Sequence, residues 1–381
     1  MEGIMIKVER LIKKGVKIAA PHSVEIGDEV NIDNISGDGV TLYAGVKIFG
    51  ASTVILKNCS IGYEAPATID NCQIGVNVKL AGGYFNNAVF LKKASAGSGA
   101  HVREATILEE EASIAHTVGL KHTILFPYVT LGSLINFCDC FMAGGASRKN
   151  HSEVGSSFIH FNYTPAQDKA TPSMFGDVAA GVMLNKSPIF LGGQGGVIGP
   201  CRLAFGTVTP AGTICRKDEL EENRLVINAR AEKSVSIPYN KRILGDVKRV
   251  IANNVNYLAN LTALYIWYKN IRANFISEEF TKQILLGLLQ KTDKALSERI
   301  KRLKDFLNNA NSFYDITEIE DIISEKKNTG DKIKDYEPFL KIIEEKIATY
   351  GKDYIKVIKS LNEEERQAGI LWLNKIVKDI A

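Results

Sequence analysis

The chain has no apolar run of the roughly 20 residues that a membrane span takes. Its first residues, M-E-G-I-M-I-K-V-E-R, hold no apolar stretch of the kind that marks a secretory signal. The sequence therefore predicts a cytoplasmic protein with no membrane partner. An excess of one charge is also missing. The net charge is only +4 over 381 residues, too little to argue for nucleic acid without a localised patch. Six cysteines are present, at 59, 72, 138, 140, 201 and 215, and none has the paired spacing of a zinc site. Cys138 and Cys140 form only C-x-C. Reduced thiols are expected, and no metal is predicted. What remains is ordinary for a globular protein, with 45% apolar and 24% charged residues.

The stretch Glu153 to Asp218 organises the chain. Short apolar steps alternate there with Gly, Pro and small residues, which leaves little room for a helix or a long alternating strand. Tight corners favour Gly because it accepts positive φ without cost. Apolar residues six apart, with corner residues between them, mark a β-helix in which each hexad is one short strand and one turn. The rhythm begins near Pro21 with the pairs Ile26/Ile32, Val40/Val46, Ile55/Ile61 and Ile74/Leu80. Its longest run is Val102, Leu108, Ile114, Leu120 and Phe126. Gly27, Gly45, Gly75 and Gly132 fall where corners are due, and Asn31, Asn34, Asn71 and Asn77 are frequent between them, as turns favour. The rhythm stops at about 134–152 and resumes to about 218.

Near residue 245 Gly almost disappears, and Lys, Glu, Leu, Ile and Asn take over. Leu258, Leu261, Leu264, Tyr265 and Tyr268 have helical spacing, as do Ile284, Leu285, Leu288 and Leu289, and Leu340, Ile343 and Ile347. Ser277 reads as a helix N-cap, and Gly330 and Gly351 as helix breaks. The sequence predicts a leader at 1–20, a β-helix over 21–218 with a projecting loop at about 134–152, a linker at 219–244, and an all-α domain of four to six helices over 245–381. A β-helix has an open edge that a helical segment can cap; the helices could equally pack along its side.

The hexads resemble the left-handed parallel β-helix of hexapeptide-repeat acyltransferases. The segment 153–218 resembles the acetyltransferase arm of bifunctional N-acetylglucosamine-1-phosphate uridyltransferase/glucosamine-1-phosphate acetyltransferases. That family carries Asn-Ile-Gly-Ala-Gly-Thr-Ile-Thr-Cys-Asn-Tyr-Asp-Gly. Here Glu153-Val154-Gly155-Ser156-Ser157-Phe158-Ile159-His160-Phe161-Asn162-Tyr163-Thr164-Pro165 runs alongside it without a gap. Lys169 then precedes Gly176-Asp177, and Pro200 and Pro210-Ala211-Gly212-Thr213 follow in the family's order. Glu153 stands where the family has Asn. Ala115-His116-Thr117-Val118-Gly119 is similar to the family's catalytic His motif but lacks its Tyr, and about twenty extra residues separate it from Glu153. The family's uridyltransferase domain and the helical region have no counterpart in each other's chains. The resemblance implies a homotrimer with sites between subunits, acetyl-CoA as co-substrate, and a sugar-phosphate or sugar-nucleotide partner.

Acyl transfer needs a base, an oxyanion donor and grips on phosphate. His116 is the first candidate base, since imidazole titrates near working pH. His151 and His160 flank the family-like stretch, and His122 lies one hexad beyond His116. Asn162 and Tyr163 match the family's acceptor-site pair. Arg103 and Lys169 could hold a sugar phosphate, and Glu153 takes the place of a substrate-binding Asn. In the interruption, Gly144, Gly145 and Ser147 before Arg148 and Lys149 could form an anion-cradling loop, which makes Arg148, Lys149 and His151 site-lining candidates. Gly193 and Gly195, with Ala211, would let a pantetheine arm approach the backbone. Arg202, Arg216 and Lys217 could meet cofactor phosphates. Two other readings stay open. One is a non-catalytic sugar-nucleotide-binding or scaffold protein whose helical tail docks a partner. The other is a zinc enzyme of the γ-carbonic-anhydrase type, with His101, His116 and His122 as ligands.

Overall fold

Short strands joined by corners satisfy their backbone groups only by stacking coil upon coil. The chain does this. A computed structural model describes residues 2–161, 169–227, 246–310, 312–329 and 336–381. It shows a parallel β-solenoid of about ten turns followed by helices. One face of the triangular coil is a ten-stranded parallel sheet, from Lys17–Ile18 through Thr130–Leu131 and Glu153–Val154 to Val208–Thr209. The other two faces belong to a sixteen-stranded sheet. The second face runs from Glu25–Ile26 through Ala100–Val102 to Ile214–Cys215, and the third from Val54–Ile55 through Thr106–Leu108 to Arg202–Leu203. Strands Gly119–Leu125 and Asn136–Met142 bend round the corner between second and third faces and contribute to both.

The hexad rhythm is the solenoid's core. Ile26, Ile32, Val40, Val46, Ile55, Ile61, Ile74, Leu80, Val102, Leu108, Ile114, Leu120 and Phe126 are all buried. Asn71 and Asn77 occupy corners at φ +50° and +59°, a conformation in which Asn is several-fold enriched. Asn31 instead accepts a hydrogen bond from the Asp33 amide. The sequence interruption shrinks in three dimensions. Asn136–Met142 is an ordinary part of the sheet, and only a hairpin of Gly145–Ser147 with Asn150–His151 leaves the coil. A second excursion lies between Phe175 and Phe190 and holds the short helix α2 (Val178–Gly181). The solenoid also continues past Asp218, where Glu219 bridges Leu203 and Leu225 bridges Val208. Most of the expected linker, residues 228–245, and Gly330 lie outside the described residues.

Residues Glu2–Lys14, within the expected leader, form helix α1. Its Val8 and Leu11 are fully buried. Lys7 Nζ donates to the carbonyls of Gly27, Asp28 and Val30, and Lys14 Nζ to those of Ile32 and Asp33. These are first-coil carbonyls, so α1 closes the solenoid's N-terminal edge.

The C-terminal helices are α3 (Val247–Asn270), α4 (Lys282–Asn309), α5 (Thr317–Thr329), α6 (Glu337–Tyr350), α7 (Tyr354–Lys359) and α8 (Glu363–Ile380). They pack along the side of the solenoid, not over its end. α4 lies on strands Gln73–Ile74, Ala88–Phe90 and Thr106–Leu108, and α3 on Ser173–Phe175, all on the third face. Phe141 stacks on Tyr257 of α3 at 5.5 Å. Arg272 after α3 pairs with Glu110 at 2.5 Å and lies 3.7 Å from the Tyr354 ring, and the Tyr268 hydroxyl donates to Glu109. The cap of α4 is Thr281, not Ser277; Ser277 sits in a turn with Phe280. Among the described residues no helix is long and apolar enough to cross a membrane.

Candidate functional site

A triangular coil distributes side chains over three corners, and the candidate residues divide between them. The corner from first to second face carries His116, Gly193, Gly195 and Ala211. His116 is exposed, and its Nδ1 is 2.8 Å from Ser133 Oγ of the next coil. Ser156 Oγ, one coil further, accepts from the Ser133 amide. The glycines above are shaped first by coil stacking. A Cβ on Gly193 would stand 2.8 Å from the Ser156 carbonyl oxygen, and one on Gly195 would stand 2.6 Å from that of Thr213. The result is a corner lined by small residues, with His116 toward its middle.

The corner from third to first face carries the hairpin. Arg148 folds down onto the solenoid: Nη1 donates to the carbonyls of Glu111 and Tyr128, and Nη2 to Thr130 Oγ1, each at 2.7 Å. The Lys149 amide donates to Ser147 Oγ. His151 is partly buried, and burial beside Arg148 lowers its pKa. Its Nε2 is 4.0 Å from Glu153, which is exposed on the first face. Gly144, Gly145 and Ser147 thus belong to a hairpin tied back onto its own coil.

The corner from second to third face forms a cleft of ≈ 420 Å³. Ligand pockets fall in this size range. The cleft gathers Arg103, His122, His160 and Lys169 from the sequence-predicted set, and adds Lys121, Cys138 and Asp139. α4 forms its other wall with Glu298, Arg299 and Arg302. Five cations therefore face two carboxylates. His160 is buried; Nδ1 is bonded to the Cys138 carbonyl, and Nε2 lies 2.9 Å from Ser173 Oγ. Burial, reinforced by Arg299, lowers its pKa to about 4. His122 is also buried, at a corner φ of +47°, and burial, Arg299 and Lys121 lower its pKa to about 4. Both imidazoles are neutral near pH 7. Burial raises the Cys138 thiol to about 12, so it is not a nucleophilic thiolate. Asn162 and Tyr163 follow the cleft residue Phe161 directly in the chain but lie outside the described residues. Arg216 and Lys217 are exposed on the same edge in the last coil, and Arg202 is on the third face.

His101 stacks on Tyr84 at 5.1 Å on the second face, away from both His116 and His122 along the coil. Among the described residues no three His, Cys, Asp or Glu side chains gather to hold a metal ion. Sequence reasoning missed the wall of the cleft supplied by α4. Glu298, Arg299 and Arg302 read as an ordinary charged helix face, and nothing in their spacing ties them to the solenoid.

The matches to known proteins each cover a little over half of the chain. A protein of Thermotoga maritima is 29% identical over 215 residues, covering 56% of this chain and 42% of its own. One of Fervidobacterium nodosum is 28% identical over 211 residues, covering 55% and 41%. Both are named bifunctional protein GlmU. The chain is similar to GlmU. It spans less than half the length of these GlmU proteins, and no family model matches it. A parallel solenoid is the architecture that the resemblance to hexapeptide-repeat acyltransferases implied.

Proposed function

We propose that this chain is a transferase of sugar-phosphate metabolism that uses acetyl-CoA to acylate an amino-sugar phosphate or a sugar nucleotide. The observation that carries the reading is the division of its candidate residues between two corners. His116 and the small-residue line at Gly193, Gly195 and Ala211 share one corner. Arg103 and Lys169 share another, beside the family-like stretch. An extended thioester fits the first, and a phosphorylated acceptor fits the cationic second. In a homotrimer one subunit's first corner would face its neighbour's second, and the site would be complete only in the assembly. His116 would then accept the proton of the attacking amine, with Ser133 orienting its ring. Asn162 and Tyr163 would hold the acceptor, with Glu153 in place of the related proteins' Asn. Arg216 would lie toward the cofactor's phosphates. The protein would work in the cytoplasm and would require no metal.

Thiol release from acetyl-CoA in the presence of glucosamine-1-phosphate tests this reading. Activity should vanish in His116→Ala and in Arg103→Ala. It should return in part when the two variants are co-expressed, because mixed trimers contain one intact pair of corners. Loss without complementation would place the site within one chain. No thiol release, with a rise in Tm on adding UDP-N-acetylglucosamine, would instead establish a sugar-nucleotide-binding protein. One observation favours that second reading. Both ring nitrogens of His160 are already engaged, so His160 is not free to act as a general base.

A further inference from the structure

The role of the helical layer can be read from the second-corner cleft. Arg299 of α4 is only 2% exposed. Its Nη1 donates to the Lys169 carbonyl at 3.1 Å, and its Nη2 stands 2.8 Å from Asp139 Oδ1. The second contact is an ion pair by distance, although its geometry leaves Oδ1 without a hydrogen bond. Arg299 Nε has no partner among the described residues, and neither does His122 Nδ1. Three buried polar atoms, on two strands and one helix, are therefore left unsatisfied around one cleft. A buried polar group left unpaired is destabilising unless a ligand satisfies it. The cleft also holds Arg103 and Lys169, whose side chains make no ion pair or hydrogen bond among the described residues. Arg302 is steadied by Glu298 at 2.7 Å and Asp305 at 3.5 Å.

We propose that the cleft binds a phosphoryl group jointly from the solenoid and the helical layer, with Arg302 and Arg103 in direct contact and Arg299 as the buried positioning residue. The inference takes its ligand class from the sugar-phosphate reading above and adds that α4 is part of the site. A phosphoryl group suits the donors better than a carboxylate. It offers oxygens in three directions, and the donors come from two walls. Guanidinium groups recognise it through charge-assisted hydrogen bonds. Arg299 also holds the carbonyl of Lys169, the next described residue after Phe161, and so fixes a second residue of the cleft.

Pyrophosphate titrated calorimetrically into the full chain at low ionic strength tests the proposal. The wild type should bind. Arg302→Ala should weaken binding about tenfold or more, the scale of one lost charge-assisted contact. Arg299→Lys keeps the charge but not the Nε–H, and it should weaken binding similarly. Lys356→Ala, on α7 and outside the cleft, should bind like the wild type. The ¹⁵N resonance of His122 Nδ1 should move on adding pyrophosphate to the wild type and should stay put in Arg299→Lys, a signature that general loosening of the fold would not give. If Arg299→Lys does not fold, Arg302→Ala decides, since Arg302 is partly exposed. Absence of wild-type binding, or equal binding by Arg302→Ala, overturns the proposal. The two readings fail separately. Arg302-dependent pyrophosphate binding without thiol release from acetyl-CoA would leave this inference standing and remove the acyl-transfer reading. Thiol release indifferent to Arg302→Ala, without pyrophosphate binding, would do the reverse.

Discussion

A buried imidazole with both nitrogens engaged is a structural group, and His160 shows what that implies for pH. Its pKa falls from the ordinary 6.5 to about 4, chiefly because burial disfavours the cation. Between those values the unfolded chain takes a proton that the native chain refuses. The contribution is fully present above about pH 6.5 and is lost as pH falls through about 4, at up to about 1.4 kcal/mol per pH unit. His160→Gln removes this dependence while keeping a donor for the Cys138 carbonyl. Urea midpoints at pH 4.5 and pH 7 should show the variant losing less stability than the wild type on acidification. Parallel curves would mean that His160 does not titrate this way. Arg148 makes a second case. Its three hydrogen bonds clamp the hairpin to the coil, so Arg148→Ala should cost about 1–3 kcal/mol and speed hydrogen exchange at residues 145–151. Unchanged exchange there would show that the clamp is idle. Neither role was legible in the sequence. A His or Arg beside a family-like motif reads the same whether its polar atoms face a ligand or the next coil, because the stacking that decides it is between residues far apart in the chain.

At the scale of elements, the solenoid was legible because its period is local: a strand and a corner every six residues, with the apolar residue pointing in. The position of the helices was left open between the end and the side of the solenoid, and the signal that bears on it, of a different kind, was passed over. On the first face, outward residues such as Thr41, Ser60, Ser95, Ser113 and Thr130 are polar. On the third face, the row Val89, Ile107, Ile124, Phe141 and Met174 is apolar and buried, next to equally buried inward neighbours. Continuous apolar strands mean burial on both sides. The runs A-V-F, T-I-L, T-I-L, C-F-M and S-M-F thus marked the third face as the covered one. The misplaced cap of α4 has a plain cause: Ser277 and Thr281 both precede helix-forming residues, and only Thr281 reaches the Ile284 amide. Gly369 shows how closely the helices pack. A Cβ there would lie 2.5 Å from Met183 Cε after α2 and 2.8 Å from the Phe339 ring of α6. Gly369→Ala should gain about 1 kcal/mol of helix propensity and lose about 1–3 kcal/mol to overpacking. A lower melting temperature is expected, and a higher one would show that α8 moves freely against its neighbours.

At the scale of the molecule, the three faces do not share one fate. The third is covered by α3 and α4, while among the described residues neither helix packs broadly on the first or second. The assembly of three copies proposed above would bring the corner that carries His116 against a neighbour's second-corner cleft. One wall of that cleft comes from the helical layer. This arrangement makes the layer both a cover and a contributor, and truncation separates the two. A chain ending at residue 227 would expose Val89, Ile107, Ile124, Phe141 and Met174 together, with Glu109 and Glu110 left without Tyr268 and Arg272. An apolar face of this extent is an association hazard. The truncated chain should bind a hydrophobic dye and sediment as polydisperse aggregates, whereas the full chain should give a single species. Substituting Asp for Ile107 and Ile124 in the truncated chain should restore a soluble species, because the solenoid's inward rows are untouched. Such a species should still lack Arg299 and Arg302, and so should bind pyrophosphate no better than the full-length Arg302→Ala variant. A truncated chain that stays dispersed without those substitutions would mean that the third face needs no cover, and that the helices are there for the cleft alone.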